Sequence, residues 1–522
     1  MSSHASSEVT MPTRPAAIRP VSLAAVAEHA KAAFGSGPDR AAAVARTQVT
    51  GVAQASRQVR PGDLYVARPG GSTHGAHYVA AAEAAGAVAW MTDTAGARIG
   101  ADSHLPCLVV DDPRHVLGST AAMVYGGPAE RLTMIGITGT QGKTTTTRLI
   151  EAGLSGVGAV SAVIGTMGTS IAGQPVSSHL TTPEAPDLHA LFAVMVEHGV
   201  EVCAMEVSSH ALEVGRVDGV VFDLAVFTNF GRDHLDFHET VEAYFAAKSG
   251  LFTASRARRG LINVDDPSVV RLLEEPSIEL STFSASGAGA DWRASAVATS
   301  GIGSRMTISG PGVRVAASVA LPGAFNVTNA LCALAAIGEI GLDVSAAAQA
   351  IGAVGNVPGR MERVDRGQGF LVIVDYAHKP DALTAALEAL RPSTPGTLTI
   401  VLGAGGSRDT GKRPLMGQVA ASLADVVVVT DDNPRSEDPR SIRAQVIAGA
   451  ANVTGGAHVR EIGDRELAIT TALREAVAGD TVVVAGKGHE TGQEIAGSIY
   501  PFDDREVVTA VLEQLAGAGG PE

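Results

Sequence analysis

The sequence predicts an α/β protein with three domains, the central one built around a mostly parallel β-sheet. At 522 residues the chain exceeds the length that one hydrophobic core usually serves, which indicates about three domains. Apolar runs of strand length alternate with helical stretches, as they do in a parallel sheet. Polar or glycine-rich residues follow directly after these runs, where open α/β sheets bind ligands. We therefore expect an N-terminal α/β domain over residues 21–130, a central domain with a phosphate-binding loop over 131–356 and a C-terminal Rossmann-like domain over 357–522.

The composition is that of a globular enzyme that acts on small molecules. The net charge is −15 and there is no run of Lys or Arg, which argues against nucleic acid or an anionic membrane as a partner. Cys107, Cys203 and Cys332 are widely spaced in apolar surroundings, which fits neither a disulfide framework nor a zinc site and predicts a cytoplasmic protein. No apolar run reaches the ~18 residues of a membrane span, so no membrane insertion is expected. Residues 1–20 are rich in Ser and Pro and predict a disordered tail without a signal peptide.

In the N-terminal domain, an Ala-rich helix over residues 22–34 is predicted to precede a turn and a strand. Pro61-Gly62-Asp63 is a turn signal, and Leu64–Ala67 has the composition of a strand. Ser56 and the loop over 70–75, which contains Gly71, Ser72 and Thr73, could bind an anionic or sugar ligand. The residues alone favour plain turns at both places.

The central domain opens with the segment that organises the chain, residues 136–147, which contains Gly139-Thr140-Gln141-Gly142-Lys143-Thr144-Thr145. An apolar strand over 132–137 precedes it, and a helical stretch follows. This arrangement binds a triphosphate, because the N–H groups of the loop and of the helix N-terminus face the phosphate oxygens. Lys143 would supply a positive charge, and Thr144 could ligate Mg²⁺. Ile137 stands where the strict motif has its first glycine, but the strand and helix around the loop still predict nucleotide binding.

Polar residues also follow the other strands predicted in the central domain, at 159–164, 200–205, 224–228 and 260–264. Glu206 ends one of these strands, where a carboxylate can hold Mg²⁺ directly or through water. His234 lies among Asp233, Asp236 and His238, which either offer further ligands or form a loop that orders itself. Thr181 and Thr182 precede a helix, where they could bind an anion or only cap the helix.

Lys248 lies in an otherwise apolar helical segment over residues 244–252. A lysine in such a segment usually extends its ammonium group to solvent, and the pattern alone favours that interpretation. The alternative is a desolvated, neutral amine that reacts with CO₂ to give a carbamate.

Four apolar runs of the C-terminal domain each lead into a charged or glycine-rich loop: 370–374, 398–402, 426–429 and 481–484. The carboxyl ends of parallel strands meet at one sheet edge, so we expect these loops to form one ligand site. The loops carry charges of both signs. They therefore predict a zwitterionic, amino-acid-like ligand.

Together these residues resemble the Mur ligase family of ATP-dependent amide-forming enzymes, and the resemblance covers nearly the whole chain from Val49 to Arg505. The glycine loop matches the family's own version, which lacks the first glycine of the strict motif. The other family motifs occur in the expected order: Met205-Glu206-Val207-Ser208-Ser209-His210, Asp233-His234-Leu235-Asp236, Asp375-Tyr376-Ala377-His378, Gly411-Lys412-Arg413-Pro414 and Gly486-Lys487-Gly488-His489-Glu490.

The resemblance implies a role for each set of residues. ATP would be bound by Gly139, Thr140, Gln141, Gly142, Lys143, Thr144, Thr145, Asn326, Arg360 and Asp375. The UDP-linked substrate would be bound by Ser56, Gly71, Ser72, Thr73, Thr181, Thr182, Ser208 and Arg216. Diaminopimelate would be bound by Arg408, Asp432, Asn433, Pro434, Arg435, Gly486 and Glu490. The implied catalytic residues are Lys143, Glu206, His234 and Lys248. Mg²⁺ would be held by Thr144, Glu206, His234 and a carbamylated Lys248, which replaces the solvent-exposed interpretation of this lysine.

The implied reaction adds 2,6-diaminopimelate to the D-glutamyl γ-carboxylate of UDP-MurNAc-L-Ala-D-Glu through an acyl phosphate, in cytoplasmic synthesis of the peptidoglycan precursor. The N-terminal domain would bind the UDP-linked substrate, the central domain ATP with Mg²⁺ and the C-terminal domain the amino acid, in a monomer. Asp432-Asn433-Pro434-Arg435 is the version of its motif associated with diaminopimelate. Arg435 can bind the second carboxylate of that substrate, whereas it would repel the ammonium group of lysine.

Four residues depart from the family's pattern: Ala55, Val214, Ala404 and Ser407. Ala55 replaces an Asp and Val214 a Gln, which leaves details of substrate contact open. The alternatives to the implied function are a lysine-adding ligase of the same family, a ligase like folylpolyglutamate synthetase and a non-catalytic nucleotide switch. The long N-terminal domain and the Asp432–Arg435 motif argue against the second, and a switch need not carry the four C-terminal loops.

Overall fold

The structure is a computed structural model that describes residues 11–34, 44, 46–178, 180–407 and 409–518. The fold is α/β with mostly parallel sheets, as predicted. The chain groups into two compact units. The first extends to Ser284 and adds Ala288–Asp291 and Cys332–Ala347, and the second contains Ala285–Gly287, Trp292–Leu331 and the chain from Ala348 onward. Each of the three predicted domains contains a sheet of its own, but the boundaries between these domains stay a prediction.

The N-terminal part of the first unit is built on a five-stranded sheet. In spatial order its strands are Ala33–Phe34, Cys107–Val109, Ala89–Thr92, Asp63–Val66 and Gly51–Ala53, and all neighbours except the first pair are parallel. A separate two-stranded pair joins Val21–Ser22 to Gln48–Val49. The α-helices are Leu23–His29, Val79–Ala84, Thr94–Ile99 and Pro113–Val124.

Two local predictions for this part have different outcomes. The predicted strand over 64–67 is confirmed to within one residue, as Asp63–Val66. The predicted helix over 22–34 is too long, since the helix ends at His29. Lys31 then adopts a left-handed backbone with φ 51°, which an α-helix cannot contain, and Ala33–Phe34 is a strand.

Residues 11–20 make specific contacts with the first unit, so the predicted disordered tail is wrong for them. One guanidinium nitrogen of Arg14 lies 2.7 Å from each carboxylate oxygen of Asp63. The carboxylate of Glu197 accepts hydrogen bonds of 3.0 Å from the backbone N–H groups of Ala16 and Ala17. Residues 1–10 lie outside the described part of the chain.

The central part of the first unit contains eight strands in one sheet. In spatial order they are Gln174–Val176, Gly168–Ile171, Ser161–Gly165, Val202–Glu206, Thr133–Thr138, Phe222–Phe227, Ala257–Asn263 and Glu279–Ser284. The first three are joined antiparallel, and the six from Ser161–Gly165 onward are parallel. The α-helices are Lys143–Gly156, Ala185–Glu197, Ser209–Glu213, Leu235–His238, Val241–Ser249 and Pro267–Val270. Each strand predicted for this sheet overlaps an observed one, whereas Gly168–Ile171, Gln174–Val176 and Glu279–Ser284 were not predicted.

The strand Thr133–Thr138 lies in the middle of this sheet, between Val202–Glu206 and Phe222–Phe227. Its Met134, Ile135 and Ile137 are fully buried, as expected for a parallel strand that is covered on both faces. The three strands run in the same direction. The glycine loop, Glu206 and the residues after Phe227 therefore meet at one edge of the sheet.

The second unit combines an antiparallel segment with a six-stranded sheet. The antiparallel strands are Trp292–Ser300, Gly303–Gly310 and Val313–Val319. The six strands are, in spatial order, Glu362–Arg363, Leu371–Asp375, Thr481–Ala485, Leu398–Leu402, Val426–Val429 and His458–Glu461, parallel except for the first pair. A hairpin, Gly492–Ile495 with Ser498–Pro501, follows the sheet. All four predicted strands overlap observed strands, whereas the hairpin and His458–Glu461 were not predicted.

The remaining helices complete the secondary structure. In the second unit they are Pro380–Leu390, Lys412–Leu423, Pro439–Ala451, Arg465–Glu475 and Asp504–Ala518, and Ala324–Glu339 and Val344–Ala353 precede them in the chain. Short 3₁₀ helices occur at Ser56–Gln58, Gly75–Tyr78, Pro128–Arg131, Gly250–Phe252, Arg271–Leu273 and Arg391–Ser393. Across the described ranges, no helix has both the length and the apolar character to cross a membrane.

Candidate active site

The glycine loop joins the central strand to the helix Lys143–Gly156, which begins where a phosphate would bind. Gly139 has φ 142°, and a Cβ there would lie 2.0 Å from the hydroxyl of Thr228, so only glycine fits. The backbone N–H groups of Thr140 and Gln141 donate to the carbonyl and side-chain oxygens of Asn229, both at 2.9 Å. Two loop N–H groups are therefore used to hold the loop, and the N-terminus of the helix that follows offers the partial positive charge that suits a phosphate.

Two lysines converge on the carbonyl oxygen of Gly139. The ammonium groups of Lys143 and Lys248 donate to it at 2.7 and 2.8 Å. Lys248 is 1% exposed and its ammonium lies 4.6 Å from the centre of the Tyr244 ring. The solvent-exposed interpretation of Lys248 is therefore wrong, and its implied role as a carbamylated Mg²⁺ ligand stays a prediction. An anion bound near both ammonium groups would relieve their mutual repulsion.

Glu206 ends the neighbouring strand and lies against the loop, almost fully buried. One carboxylate oxygen accepts from the hydroxyl of Thr144 at 3.1 Å and from that of Thr166 at 3.0 Å. The other accepts from the backbone N–H of Thr166 at 2.8 Å. Hydroxyl and carboxylate oxygens are the ligands that Mg²⁺ prefers, so Thr144 and Glu206 fit this cation.

His234 lies in a cluster of rings. Its Nε2 lies 3.1 Å from a carboxylate oxygen of Asp233, and its ring is 4.8 Å from that of His210. His238 forms a 2.9 Å hydrogen bond with the hydroxyl of Ser209. Within the part of the chain that the structure describes, no three His, Cys, Asp or Glu side chains converge as metal ligands would. These contacts show that the segment orders itself, and the role of His234 at Mg²⁺ stays a prediction.

Thr181, Thr182, Ser208 and Arg216 lie together beside Glu206. The hydroxyl of Thr182 donates to the Glu206 carbonyl oxygen at 2.8 Å and accepts from the Ser208 N–H at 3.2 Å. Thr181 contacts the Thr166 hydroxyl at 3.1 Å. Arg216 donates to the Thr182 carbonyl oxygen at 3.3 Å. The following helix has Glu184 as its N-cap, without a side-chain cap bond, so capping does not explain the two threonines.

The other residues predicted for the UDP-linked substrate lie in the N-terminal part. Ser56 begins a single 3₁₀ turn whose N-cap, Ala55, makes no side-chain cap bond. Gly71, Ser72 and Thr73 are exposed in a tight turn closed by a 3.1 Å bond from the Gly70 N–H to the Thr73 carbonyl oxygen. Among the described residues, neither element forms a hydrogen bond or ion pair with the cluster around Thr182.

Arg68 is a basic residue that the sequence did not single out. It follows the strand Asp63–Val66 and donates to the side-chain oxygen of Gln54 at 2.9 Å. Burial and the nearby Arg114 lower the pKa of Arg68, and Arg216 adds to this effect against the opposing influence of Glu184. This local excess of positive charge suits an anionic substrate. Arg68 could have been found from the sequence as a candidate binding residue, because it lies just after a predicted strand.

In the second unit, the residues predicted for the amino acid form one group, hereafter the amino-acid pocket: Asp432, Asn433, Pro434, Arg435, Gly486 and Glu490. The Asn433 amide donates to a Glu490 carboxylate oxygen at 2.9 Å. Gly486 has φ 119°, and a Cβ there would lie 2.6 Å from the carboxylate of Asp432. Arg408, predicted for the same pocket, lies outside the described residues.

Arg435 is held in an unusual backbone conformation with φ 52°. Its N–H donates to the carbonyl oxygen of Glu494 at 3.0 Å, and its carbonyl oxygen accepts from Ala496 at 2.7 Å. Its guanidinium contacts the Glu494 carboxylate at 3.0 Å and the Gly406 carbonyl oxygen at 2.8 Å. The hairpin 492–501, which the sequence did not predict, therefore positions this arginine.

Asn326, Arg360 and Asp375, predicted to contact the nucleotide, are strongly engaged within the second unit. The carboxylate of Asp375 accepts from the N–H groups of Met361 at 2.6 Å and Ala377 at 2.8 Å. Burial raises the pKa of Asp375, and these hydrogen bonds and the charge of Arg360 oppose the rise. Arg360 lies 4.4 Å from the centre of the Tyr376 ring. The Asn326 amide donates to the Pro322 carbonyl oxygen at 2.7 Å, at the start of its helix.

Three family models match successive parts of the chain. They are described as the Mur ligase family catalytic domain, over residues 48–125, the Mur ligase middle domain, over 137–337, and the glutamate ligase domain of Mur ligases, over 359–488. The matched segments include the loop, Glu206, Lys248, Asp432 to Arg435 and Gly486.

Similar proteins share most of the chain's length. It is 50% identical to the UDP-N-acetylmuramoyl-L-alanyl-D-glutamate–2,6-diaminopimelate ligase of Streptomyces coelicolor, over 97% of this chain and 99% of that protein. The enzyme of the same name from Corynebacterium glutamicum is 48% identical, over 86% and 89%. A solved structure of an enzyme of this name superposes with a TM-score of 0.67 at 32% identity, over 95% of this chain and 100% of the other.

Proposed function

The chain belongs to the Mur ligase family, and from this premise we propose that it joins 2,6-diaminopimelate to the D-glutamyl γ-carboxylate of UDP-MurNAc-L-Ala-D-Glu. It is an ATP-dependent amide-forming ligase of peptidoglycan precursor synthesis. The observation that carries the choice of amine is the amino-acid pocket, which combines the Arg435 guanidinium, held by Glu494, with the carboxylates of Asp432 and Glu490. Charges of both signs suit a substrate that has a second amino-acid head.

The first step is activation of the acceptor carboxylate. A carboxylate is a poor electrophile, so transfer of the γ-phosphoryl group of ATP must first convert it to an acyl phosphate. Lys143 and the N-terminus of its helix stabilise the negative charge on the transferring phosphoryl group. Gly139 to Thr145 would bind the phosphates of ATP. Asn326, Arg360 and Asp375 are proposed as further nucleotide contacts.

The side chains that fit Mg²⁺ are Thr144 and Glu206, which already share a hydrogen bond of 3.1 Å. When bound, Mg²⁺ neutralises phosphate charge and polarises the γ-phosphoryl group. Thr166 holds both oxygens of Glu206 and so fixes the direction of its carboxylate. We propose His234 and a carbamylated Lys248 as additional ligands, because a carbamate would give the buried lysine an oxygen donor.

The acceptor is proposed to bind beside Glu206. Thr181, Thr182, Ser208 and Arg216 would hold its dipeptide, since they offer hydroxyl donors and a guanidinium next to the loop. Ser56, Gly71, Ser72 and Thr73 would bind the uridine diphosphate. This binding must hold the γ-carboxylate in line with the γ-phosphoryl group, because orientation is what makes the transfer fast.

The second step forms the amide. The amine nitrogen of diaminopimelate attacks the acyl carbon, the tetrahedral intermediate expels phosphate, and the nitrogen loses a proton. Arg435, with Arg408 and the remaining amide N–H of Asn433, would bind the carboxylate of the distal head, while Asp432 and Glu490 would bind ammonium groups. Such a pocket discriminates against lysine, whose side chain offers Arg435 a second cation.

We further propose a monomer in the cytoplasm. ATP and a UDP-linked substrate are cytoplasmic compounds, and the three cysteines are free, buried and unsuited to disulfide formation.

A three-substrate assay tests the proposed function. Phosphate release is followed with ATP, Mg²⁺, UDP-MurNAc-L-Ala-D-Glu and one added amine, and the product is identified by mass spectrometry. We expect phosphate release that requires diaminopimelate and a product heavier than the acceptor by diaminopimelate less water. Release without any amine, or no release with all substrates present, would reject the proposal.

A further inference from the structure

Lys487 is a fully buried cation at the amino-acid pocket, with 0% of its side chain exposed. Its ammonium group donates to three oxygens: the side-chain oxygen of Asn433 at 3.1 Å, a carboxylate oxygen of Glu490 at 3.1 Å and the carbonyl oxygen of Gly492 at 2.6 Å. An ammonium group has three donors, so all of them are used. A buried lysine is costly unless it is paired and hydrogen-bonded in this way.

These contacts determine the orientation of Asn433. Its side-chain oxygen accepts from Lys487 and, at 2.9 Å, from the backbone N–H of Glu494. Its amide nitrogen must then be the group that donates to Glu490. Two donors on one side therefore prevent the amide from rotating, which fixes what Asn433 can offer to a substrate.

The same contacts determine which oxygen of Glu490 is available. Its Oε2 accepts from both Lys487 and Asn433. Its Oε1 accepts no hydrogen bond from any of the described residues, and a third of the Glu490 side chain is exposed. One oxygen of this carboxylate is therefore hydrogen-bonded within the protein, and the other is oriented to bind a cation that enters the pocket.

Lys487 also ties the pocket to the hairpin 492–501. It binds Gly492, the first hairpin residue, and the next residue, Gln493, donates to the Asp432 carbonyl oxygen at 2.7 Å. Glu494 then contacts Asn433 and Arg435. Lys487 is thus a buried point at which the strand-end loop 486–490, the loop 432–435 and the hairpin meet.

We propose that Lys487 is a positioning residue for the amino-acid substrate, which holds Asn433 and the inner oxygen of Glu490 so that the outer oxygen binds a substrate ammonium group. This inference rests on the proposed function, because it requires that an amino acid binds in this pocket. Lys487 itself does not touch the substrate, since its three donors are already bound within the protein.

The test is a steady-state comparison of Lys487→Met with the wild type. We expect the KM for diaminopimelate to rise roughly 10- to 100-fold. This is the loss of affinity that corresponds to the free energy of a hydrogen bond to a charged group. The KM values for ATP and for UDP-MurNAc-L-Ala-D-Glu should stay within about twofold, because neither proposed site includes Lys487.

Thr394→Val is the control. It removes a buried 2.7 Å contact with Thr481, which lies at the opposite end of the strand that leads to Lys487. This variant should lower stability without changing the KM for diaminopimelate.

A double-mutant cycle with Glu490→Gln separates positioning from general stabilisation. If Lys487 acts through Glu490, adding Lys487→Met to the Glu490→Gln variant should raise the KM for diaminopimelate by less than about twofold. Should Lys487→Met not fold, Lys487→Gln keeps a similar length and two donors, and is expected to give a smaller rise of the same KM with the same non-additivity. An unchanged KM for diaminopimelate, full additivity or an equal rise of all three KM values would each overturn the inference. A wild type without diaminopimelate-dependent phosphate release would instead reject the proposed function on which it rests.

Discussion

In the glycine loop the backbone sets most of the geometry, whereas in the amino-acid pocket side chains hold one another in place. The loop depends on glycine at residue 139, on the start of a helix and on bonds from Asn229, so its geometry follows from local sequence. The pocket depends on a buried Lys487 and on a hairpin that arrives from elsewhere in the chain. The comparison teaches that the geometry of the loop depends mainly on its own sequence, whereas the geometry of the pocket depends on contacts from elsewhere in the chain, several of which would be lost with Lys487.

The largest expected effect is on the stability of the second unit, whose pocket lies beside a buried ion pair. Arg465 binds both carboxylate oxygens of Asp504 at 2.7 Å, with both side chains 0% exposed, and also contacts the Ala485 carbonyl oxygen. Asp504→Asn leaves the guanidinium buried without its counter-charge and should lower the free energy of unfolding by about 3–5 kcal/mol.

Denaturant unfolding followed by circular dichroism measures this loss. Glu475→Gln is the control, because its ion pair with Arg460 is largely exposed and should contribute less than about 1 kcal/mol. If the free energy of unfolding fell equally in the two variants, burial of the ion pair would not matter. The contrast between the two regions would then be contradicted.

The next effect concerns the loop, where Lys248 is the side chain on which the backbone-built site depends. Lys248→Ala should lower kcat/KM roughly 100-fold or more, since it removes a group held at the carbonyl of Gly139, beside the proposed site of phosphoryl transfer. If the lysine acts as a carbamate, added formate or acetate should partly restore activity by supplying an oxygen ligand. Lys31→Met, on an exposed lysine, is the control.

Intact-protein mass spectrometry complements the rescue, because a carbamate adds CO₂ to the wild type and not to the variant. Absence of rescue together with an unmodified wild-type lysine would count against the carbamate. It would leave Lys248 as a cation at the loop.

A smaller effect should appear in the choice of amine. Arg435→Ala removes the guanidinium that Glu494 and the hairpin position, and should lower kcat/KM for diaminopimelate roughly 10- to 100-fold, with little change for lysine. The ratio of the two kcat/KM values is the measurement, and Arg440→Ala, on an exposed arginine, is the control. If both amines were affected equally, Arg435 would be structural and would not select the substrate.

The smallest effect near neutral pH comes from two histidines that are shielded from solvent, the half-buried His378 and the fully buried His189. Desolvation lowers the pKa of His378 to about 3 and that of His189, in the first unit, to about 4. Each is neutral in the folded protein but binds a proton in the unfolded chain below pH 6.5, so its contribution to stability is present above that pH and is lost as the pH falls. As the pH falls below 6.5, the slope for each histidine approaches about 1.4 kcal/mol per pH unit. His378→Asn should remove its share from unfolding curves measured between pH 6.5 and 5, and an unchanged slope would contradict a neutral His378 in the folded protein.

The two regions also differ in how well the sequence predicted them. The loop was predicted in detail, because strand, glycines and helix are contiguous and each has a local signature. Glu206 was predicted from its place after an apolar strand, and the structure brings it to Thr144. Lys248 could not be placed from its segment alone, since a single lysine in an apolar helix does not reveal what packs over it. The family motif associates it with the ATP site, and the structure places its ammonium group on the glycine loop, at the Gly139 carbonyl oxygen.

The pocket shows the limit of the same reasoning. The positions of Asp432 and Gly486 after strands predicted that they meet, because parallel strands end at one edge. The hairpin 492–501 has no strong turn or alternation signal, and its contacts with Asn433 and Arg435 depend on tertiary structure. The sequence showed Lys487 only as part of a family motif. Its burial and the use of all three of its donors depend on the fold, so its role could not be predicted.

The amine requirement of the wild type tests the central claim most directly. Phosphate release is measured at matched concentrations of diaminopimelate, lysine and glutamate, with ATP, Mg²⁺ and UDP-MurNAc-L-Ala-D-Glu held constant. We predict rapid release with diaminopimelate and little with the other two, because Arg435 requires a distal carboxylate and the pocket's carboxylates require an ammonium group. Rapid release with lysine and none with diaminopimelate would contradict the role of Arg435 and the function built on it.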